Sequence, residues 1–305
     1  MSPLPATLLG LDFSSAPSVR KPLMLARGTR VGAVLRLERI DTFVTLQAWA
    51  EALACEVASP GGFVMGCDFP FGLPRAFVAA LRACGPGELP RNLADGPLDG
   101  PGAPATLIRA LHTHCVDRAG FQRLVDGWGQ DWQTDRPAGS RLIHRRCDLA
   151  LPGTVSTSPL QTRYVPVGKM YFEGLSRLVA AGVTLPGMQP GHPAAIALEA
   201  YPGLLATEVL GRRSYKSETD RGSDRLVARM DLVDALEQGR TRLGLRLKLS
   251  PAQRDHLVAD PKGDRLDAVL CLLQAAWAHA QAEAGAPLWG LPADVDPVEG
   301  WILTA

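Results

Sequence analysis

Asp12, Asp68, Glu199, Asp264 and Asp267 are acidic residues set in or at the ends of apolar runs. Asp12 closes Leu8-Leu9-Gly10-Leu11. Asp68 follows Phe63-Val64-Met65-Gly66-Cys67, and Glu199 follows Ala195-Ile196-Ala197-Leu198. Asp264 and Asp267 open the apolar segment from Leu266 to Ala278. A carboxylate in apolar surroundings is costly unless it is paired, hydrogen-bonded or bound to metal. Several such sites in one chain predict that they converge. Converging carboxylates point to a divalent cation and to attack on a phosphoryl group.

Each residue also has a plainer use. Asp12 can cap the turn through Ser14 and Ser15, or it can ligate metal at a strand end. Asp68 precedes Phe69-Pro70-Phe71-Gly72-Leu73-Pro74, a rigid turn able to hold a carboxylate to the tight geometry that Mg²⁺ demands. Glu199 is either a solvated strand-end carboxylate or a site member. Asp264 and Asp267, three apart, project from one helix face. Their repulsion is relieved by a dication, or by Lys262 and Arg265 in a structural ion cluster. His112-x-His114-Cys115 lacks a second half at zinc-ligand spacing. Two basic runs, Arg141 with His144-Arg145-Arg146 and Arg212-Arg213 with Tyr215-Lys216, are either solvated faces or phosphate contacts. Arg146 and Lys216 are the candidates for contact. No GxxxxGK[ST], GxGxxG or GxSxG sequence is present, so neither a nucleotide-binding loop nor a hydrolase elbow is supported.

The elements that must position these groups follow from periodicity. Strands are predicted over 6–13, 21–26 and 31–38, the last two joined at Arg27-Gly28-Thr29, as an antiparallel meander. Asp41 or Thr42 caps a helix over 43–58, stopped by Pro60-Gly61-Gly62. A fully apolar strand over 62–68 is expected at the centre of a sheet covered on both faces. The helix between them suits a right-handed crossover, which sets Asp12 and Asp68 side by side at strand carboxyl ends. Residues 75–193 read as a helical and loop-rich insertion without a clear strand. Helices are expected near 75–84, 104–128 and 170–181, and loops at Gly85-Pro86-Gly87 and from Asp95 to Pro104. A strand over 194–200 and helices over 203–210, 221–238, 251–259 and 262–284 complete the pattern.

The chain of 305 residues fits one large domain, 1–305, with the insertion inside it, on a scale of roughly 150 residues per domain. A formal charge of +1 argues against a high-affinity nonspecific DNA binder. The start, Met1 to Thr7, lacks the pattern of a secretion signal, and Gln274 and His279 break the longest apolar stretch. The cysteines lack CxxC spacing and read as reduced thiols in a cytoplasmic protein, with Cys67 and Cys271 in the core.

In order along the chain, Gly10-Leu11-Asp12, Asp68 to Pro74, Arg146-Cys147-Asp148, Glu199-Ala200-Tyr201-Pro202 with Tyr215-Lys216, and Asp264-Arg265-Leu266-Asp267-Ala268 form an ordered set. The set resembles the family called domain of unknown function 429, described as predicted RNase H-like nucleases. The resemblance spans almost the whole chain. It implies an α/β fold of the ribonuclease H-like kind: a mixed five-stranded sheet, its first three strands antiparallel, flanked by helices. It implies metal binding by Asp12, Asp68 and Asp267 with Asp264 beside them, while Glu199 belongs to the narrower family's own pattern. The Asp-x-x-Asp helix also resembles Holliday-junction resolvases of the same superfamily. Ribonuclease H proper carries a Glu on its first helix, where this chain has Glu51 and Glu56.

The resulting expectation is a metal-dependent nuclease or phosphodiesterase. Two Mg²⁺ or Mn²⁺ ions roughly 3.5–4 Å apart would act on a nucleic acid or nucleotide substrate, with no membrane involved. Asp12 would bridge them, Asp68, Asp264 and Asp267 would complete the shells, and Glu199 would orient water or act as base. One alternative is an actin-like or sugar-kinase-type ATP-dependent phosphotransferase. Its glycine-rich loop belongs where this chain has Phe13-Ser14-Ser15-Ala16-Pro17. The other is a non-catalytic binding module that retains the fold.

Overall fold

Every interior residue of β1 (Thr7–Asp12) is buried, and this places the strand at the centre of a sheet rather than at an edge. The computed structural model describes residues 4–84, 98–128, 142–217 and 222–305. β1 pairs antiparallel with β2 (Leu23–Val31), and β2 pairs antiparallel with β3 (Val34–Phe43). α1 (Leu46–Ala58) then crosses to β4 (Phe63–Cys67), which lies parallel to β1 on its other side. Between β4 and β6 come α2 (Arg75–Cys84), α3 (Ala103–Cys115), α4 (Arg118–Gly127), α5 (Arg146–Leu149), α6 (Val167–Ala180) and β5 (Val183–Thr184). β6 (His192–Glu199) is parallel to β4. α7 (Pro202–Leu210), α8 (Ser223–Glu237), β7 (Arg246–Lys248), α9 (Pro251–Val258) and α10 (Asp264–Glu283) complete the chain, with a short 3₁₀ turn at Pro287–Gly290.

The sheet has seven strands in the order β5-β6-β4-β1-β2-β3-β7. The strand alternation of period two sorts the core into two layers. Leu9 and Leu11 face α1, α2, α3, α4 and α6, among them Trp49, Phe77, Phe121 and Phe172. Leu8, Val64 and Ile196 face the other way, toward Leu266, Val269 and Leu273 of α10 and Leu232 and Leu236 of α8. α10 is buried on almost every side, as a helix clamped between a sheet and further helices must be.

Two glycines let α10 lie directly on the strands. Gly10 and Gly66 are register partners in β1 and β4. A Cβ on Gly10 would stand 2.2 Å from the Ala268 carbonyl oxygen and 2.2 Å from the Leu272 nitrogen; one on Gly66 would stand 2.4 Å from the Cys271 carbonyl oxygen. Close backbone approach is one reason for a glycine inside a strand. Asp12 and Asp68 lie two residues beyond these glycines, on the same face, so the helix start is drawn down onto them.

Several expectations are corrected. Seven strands stand where five were expected: β5 and β7, of two and three residues, are too short to show a pattern, and β5 also puts a strand inside 75–193. The hairpin does not turn at Arg27-Gly28-Thr29. Its strands run on to Val31 and resume at Val34, and a register shift marks Arg27/Gly28, because glycine inside a strand signals a bulge as readily as a turn. β3 reaches Phe43, so α1 is capped not by Asp41 or Thr42 but by Thr45, whose side chain accepts from the Ala48 N–H at 3.1 Å. The helix expected over 104–128 is two, parted at Val116 with φ +66°. Asp117 caps the second by accepting from the Gly120 N–H at 2.7 Å. The Gly85-Pro86-Gly87 loop and Arg141 lie outside the described residues. Among those described, no helix is long and apolar enough to cross a membrane. Cys55, Cys67, Cys115, Cys147 and Cys271 are free thiols, with Cys67 and Cys271 in the core.

Candidate metal centre

Three carboxylates meet where β1, β4 and α10 converge. Asp12 ends β1, Asp68 follows β4, and Asp267 lies in the first turn of α10. The parallel pairing is carried past the strand end by the Asp68 N–H, which donates to the Leu11 carbonyl at 2.9 Å. One oxygen from each of Asp12, Asp68 and Asp267 lies within 4.8 Å of the others. Asp267 is 2% exposed and is held from two directions. The Tyr215 hydroxyl donates to one of its oxygens and the Lys216 ammonium to the other.

Electrostatics at the site follow from burial and crowding. Burial, then the charges of Asp267, Asp68 and Asp264, hold the Asp12 carboxyl well above the usual carboxylate range, and Lys216 works against them. Asp68 is pushed up to about 7 by burial and by Asp267, with Lys216 opposing and Glu199 adding. Asp264 is raised by burial, by Asp260 and by Asp267, against Lys21 and Lys216. Partial desolvation pulls the half-exposed Lys216 ammonium down, but Asp267, Asp68 and Asp12 outweigh it and keep the group charged. The triad and Asp264 line a cavity of about 590 Å³ whose wall also carries Lys21, Lys216 and Lys262.

This donor set fits a hard dication. All three groups are carboxylates gathered within reach of one ion, with no thiolate or imidazole among them, as Mg²⁺ or Mn²⁺ prefer. Crowded carboxylates with raised proton affinity are also relieved by a cation. Asp264 stands on the same wall but outside the group of three.

Glu199 stands apart from the triad. It is 4% exposed, and Arg145 grips both its oxygens, at 2.8 and 2.6 Å. The Phe71 N–H donates to it at 2.8 Å. Arg145 also binds Asp148 at 2.8 Å and the Glu299 carbonyl at 2.8 Å. Burial raises the Glu199 carboxyl, and Arg145 with the Phe71 N–H pulls it back.

Arg146, a candidate phosphate contact, is 64% exposed, pairs with Asp294 at 2.7 Å and lies over the Trp301 ring. It does not line the acidic cavity, and its buried neighbour Arg145 is the arginine that reaches the interior. Lys216, the other candidate, borders the triad. Of the remaining basic run, Arg213 pairs with Asp231 at 2.7 Å. His112 bonds the Phe172 carbonyl at 2.9 Å and stacks on its ring, a structural role. On the first helix, Glu56 pairs with Arg27 and Glu51 accepts from Gln47 at 2.8 Å, and neither joins the triad.

The ion cluster of Arg145, Asp148 and Glu199 is the feature that sequence reasoning missed. Glu199, the run His144-Arg145-Arg146 and Asp148 each stand out in the sequence, but nothing in their spacing joins them into one cluster. No protein-family model, no curated protein and no solved structure matches this chain.

Proposed function

We propose that this chain is a metal-dependent phosphodiesterase of the ribonuclease H-like class, acting on nucleic acid or nucleotides. The observation that carries the proposal is the convergence of Asp12, Asp68 and Asp267 on one point. The five central strands, β6-β4-β1-β2-β3, with β1, β2 and β3 antiparallel and β4 and β6 parallel to β1, support it. So does the ordered resemblance of the motifs to the predicted nucleases of domain of unknown function 429.

A bound Mg²⁺ or Mn²⁺ supplies Lewis-acid polarisation of a phosphoryl oxygen and a more acidic water. Asp12, Asp68 and Asp267 would hold such an ion, and a second ion would draw on Asp264. Tyr215 and Lys216 fix the Asp267 rotamer. The Lys216 ammonium also offers a positive charge to the substrate phosphate. Glu199, clasped by Arg145, positions the turn after β4 rather than taking a proton.

The purified protein is expected to cleave single-stranded or duplex nucleic acid in Mn²⁺. Asp12→Asn is expected to lower the rate at least about 100-fold, the scale of losing a first-order electrostatic contribution. Cleavage undiminished in Asp12→Asn overturns the assignment.

A further inference from the structure

A second cavity, of about 220 Å³, opens beside the acidic one, and the two share Asp68, Val165, Met170 and Lys216 in their walls. Its apolar wall includes the Phe69 and Tyr201 rings with Val167 and Ile302, and hydroxyls come from Thr157, Tyr201 and Ser156, the last of which donates to Asp148. Arg145 and Glu199 reach it as well, but the guanidinium is already shared between Glu199 at 2.6 Å and Asp148 at 2.8 Å. It therefore calls for no further anion.

The size is selective. It lies below the roughly 300–1,000 Å³ of pockets for drug-sized ligands and above the roughly 150 Å³ cavity that takes a benzene ring. One flat heterocycle fits that interval. Aromatic and apolar walls with a few hydroxyls are the chemistry that receives an unstacked base, by stacking and by bonds to its edge. The shared wall at Asp68 and Lys216 sets the phosphate of the same nucleotide at the acidic end.

We propose that this cavity is a subsite for a single unstacked nucleobase, so that the substrate is a single-stranded nucleic acid presenting one nucleotide across both cavities. The proposal rests on the triad being a phosphoryl-handling metal site. Base insertion requires a nucleotide free of its duplex partner, which gives the enzyme a preference for single strands.

Equilibrium binding of AMP and of ribose 5-phosphate to the full chain, with Mn²⁺ titrated separately, tests it. AMP is expected to bind at least 10-fold more tightly than ribose 5-phosphate, which has the phosphate and no base. Val167→Trp fills the cavity and should abolish that preference while Mn²⁺ affinity stays within two-fold. Thr157→Trp, substituted at an exposed rim position, gives the same answer without touching the core. Equal affinities for the two ligands, or an AMP preference that survives both tryptophans, overturns the subsite. Mn²⁺ binding without AMP preference defeats the subsite and leaves the metal centre standing. AMP preference without Mn²⁺ binding does the reverse.

Discussion

Asp68 is the carboxylate whose environment makes the clearest demand. Burial and the neighbouring Asp267 lift it to about 7, against an ordinary value near 4. The folded chain therefore favours the protonated acid. The stability this group contributes is fully present below about pH 4 and is lost as pH rises through about 7. In chelator, Asp68→Asn should match the native protein at pH 4 and exceed it at pH 8, on the order of 4 kcal/mol by urea unfolding. Added Mn²⁺ should reverse the order at pH 8, because only the native carboxylate gains the ion. A native protein as stable as the variant at pH 8 in chelator would show that the charge is not penalised. At this scale Asp12, Asp68 and Asp267 were legible in the sequence, because a carboxylate against apolar neighbours has few alternatives. Arg145 was not, because nothing in His144-Arg145-Arg146 tells which arginine faces inward until α5 and its cap are built.

Among the elements, α10 decides whether there is a site at all. Its first turn carries Asp264 and Asp267, and Gly10 and Gly66 let its backbone rest on the strands. Gly10→Ala puts a methyl 2.2 Å from backbone atoms of Ala268 and Leu272, which have no rotamer to yield. A destabilisation of at least about 2 kcal/mol is expected from such overpacking, together with weaker Mn²⁺ binding as Asp267 moves off Asp12. Urea unfolding and Mn²⁺ titration check the two effects, and a variant unchanged in both would remove the helix seat from the explanation. The central strands and α10 were readable because β1 and β4 are short and apolar throughout and α10 is long. The bulge at Arg27/Gly28 and the edge strands were not: a bulge and a turn share glycine, and three residues of β7 show no period. The break at Val116 was hidden as well, since φ +66° at a valine has no signature in its own residue type.

Across the whole molecule, Arg145 ties distant parts of the chain to the end of β6. It joins Glu199, Asp148 and the Glu299 carbonyl. The Leu303 N–H donates to the Glu199 carbonyl at 2.8 Å, bringing the last residues into the same knot. Arg145→Met would leave Asp148 and Glu199 buried without their cation, a loss of about 3–5 kcal/mol. Urea unfolding measures it, and a loss under about 1 kcal/mol would mean that the cluster is not a structural clasp. Such a clasp holds the turn after β4, and with it Asp68, against the sheet. The convergence of the acidic residues on the sheet is therefore a property of the fold as a whole, and divalent-metal binding is its direct readout. Titration of Mn²⁺ into the native protein and into Asp12→Asn tests it. Saturable binding to the native chain, weakened at least about 10-fold by the substitution, is the outcome predicted here, on the scale of 1.4 kcal/mol per decade. Equal binding by both proteins, or none by the native one, would contradict a metal centre at Asp12, Asp68 and Asp267.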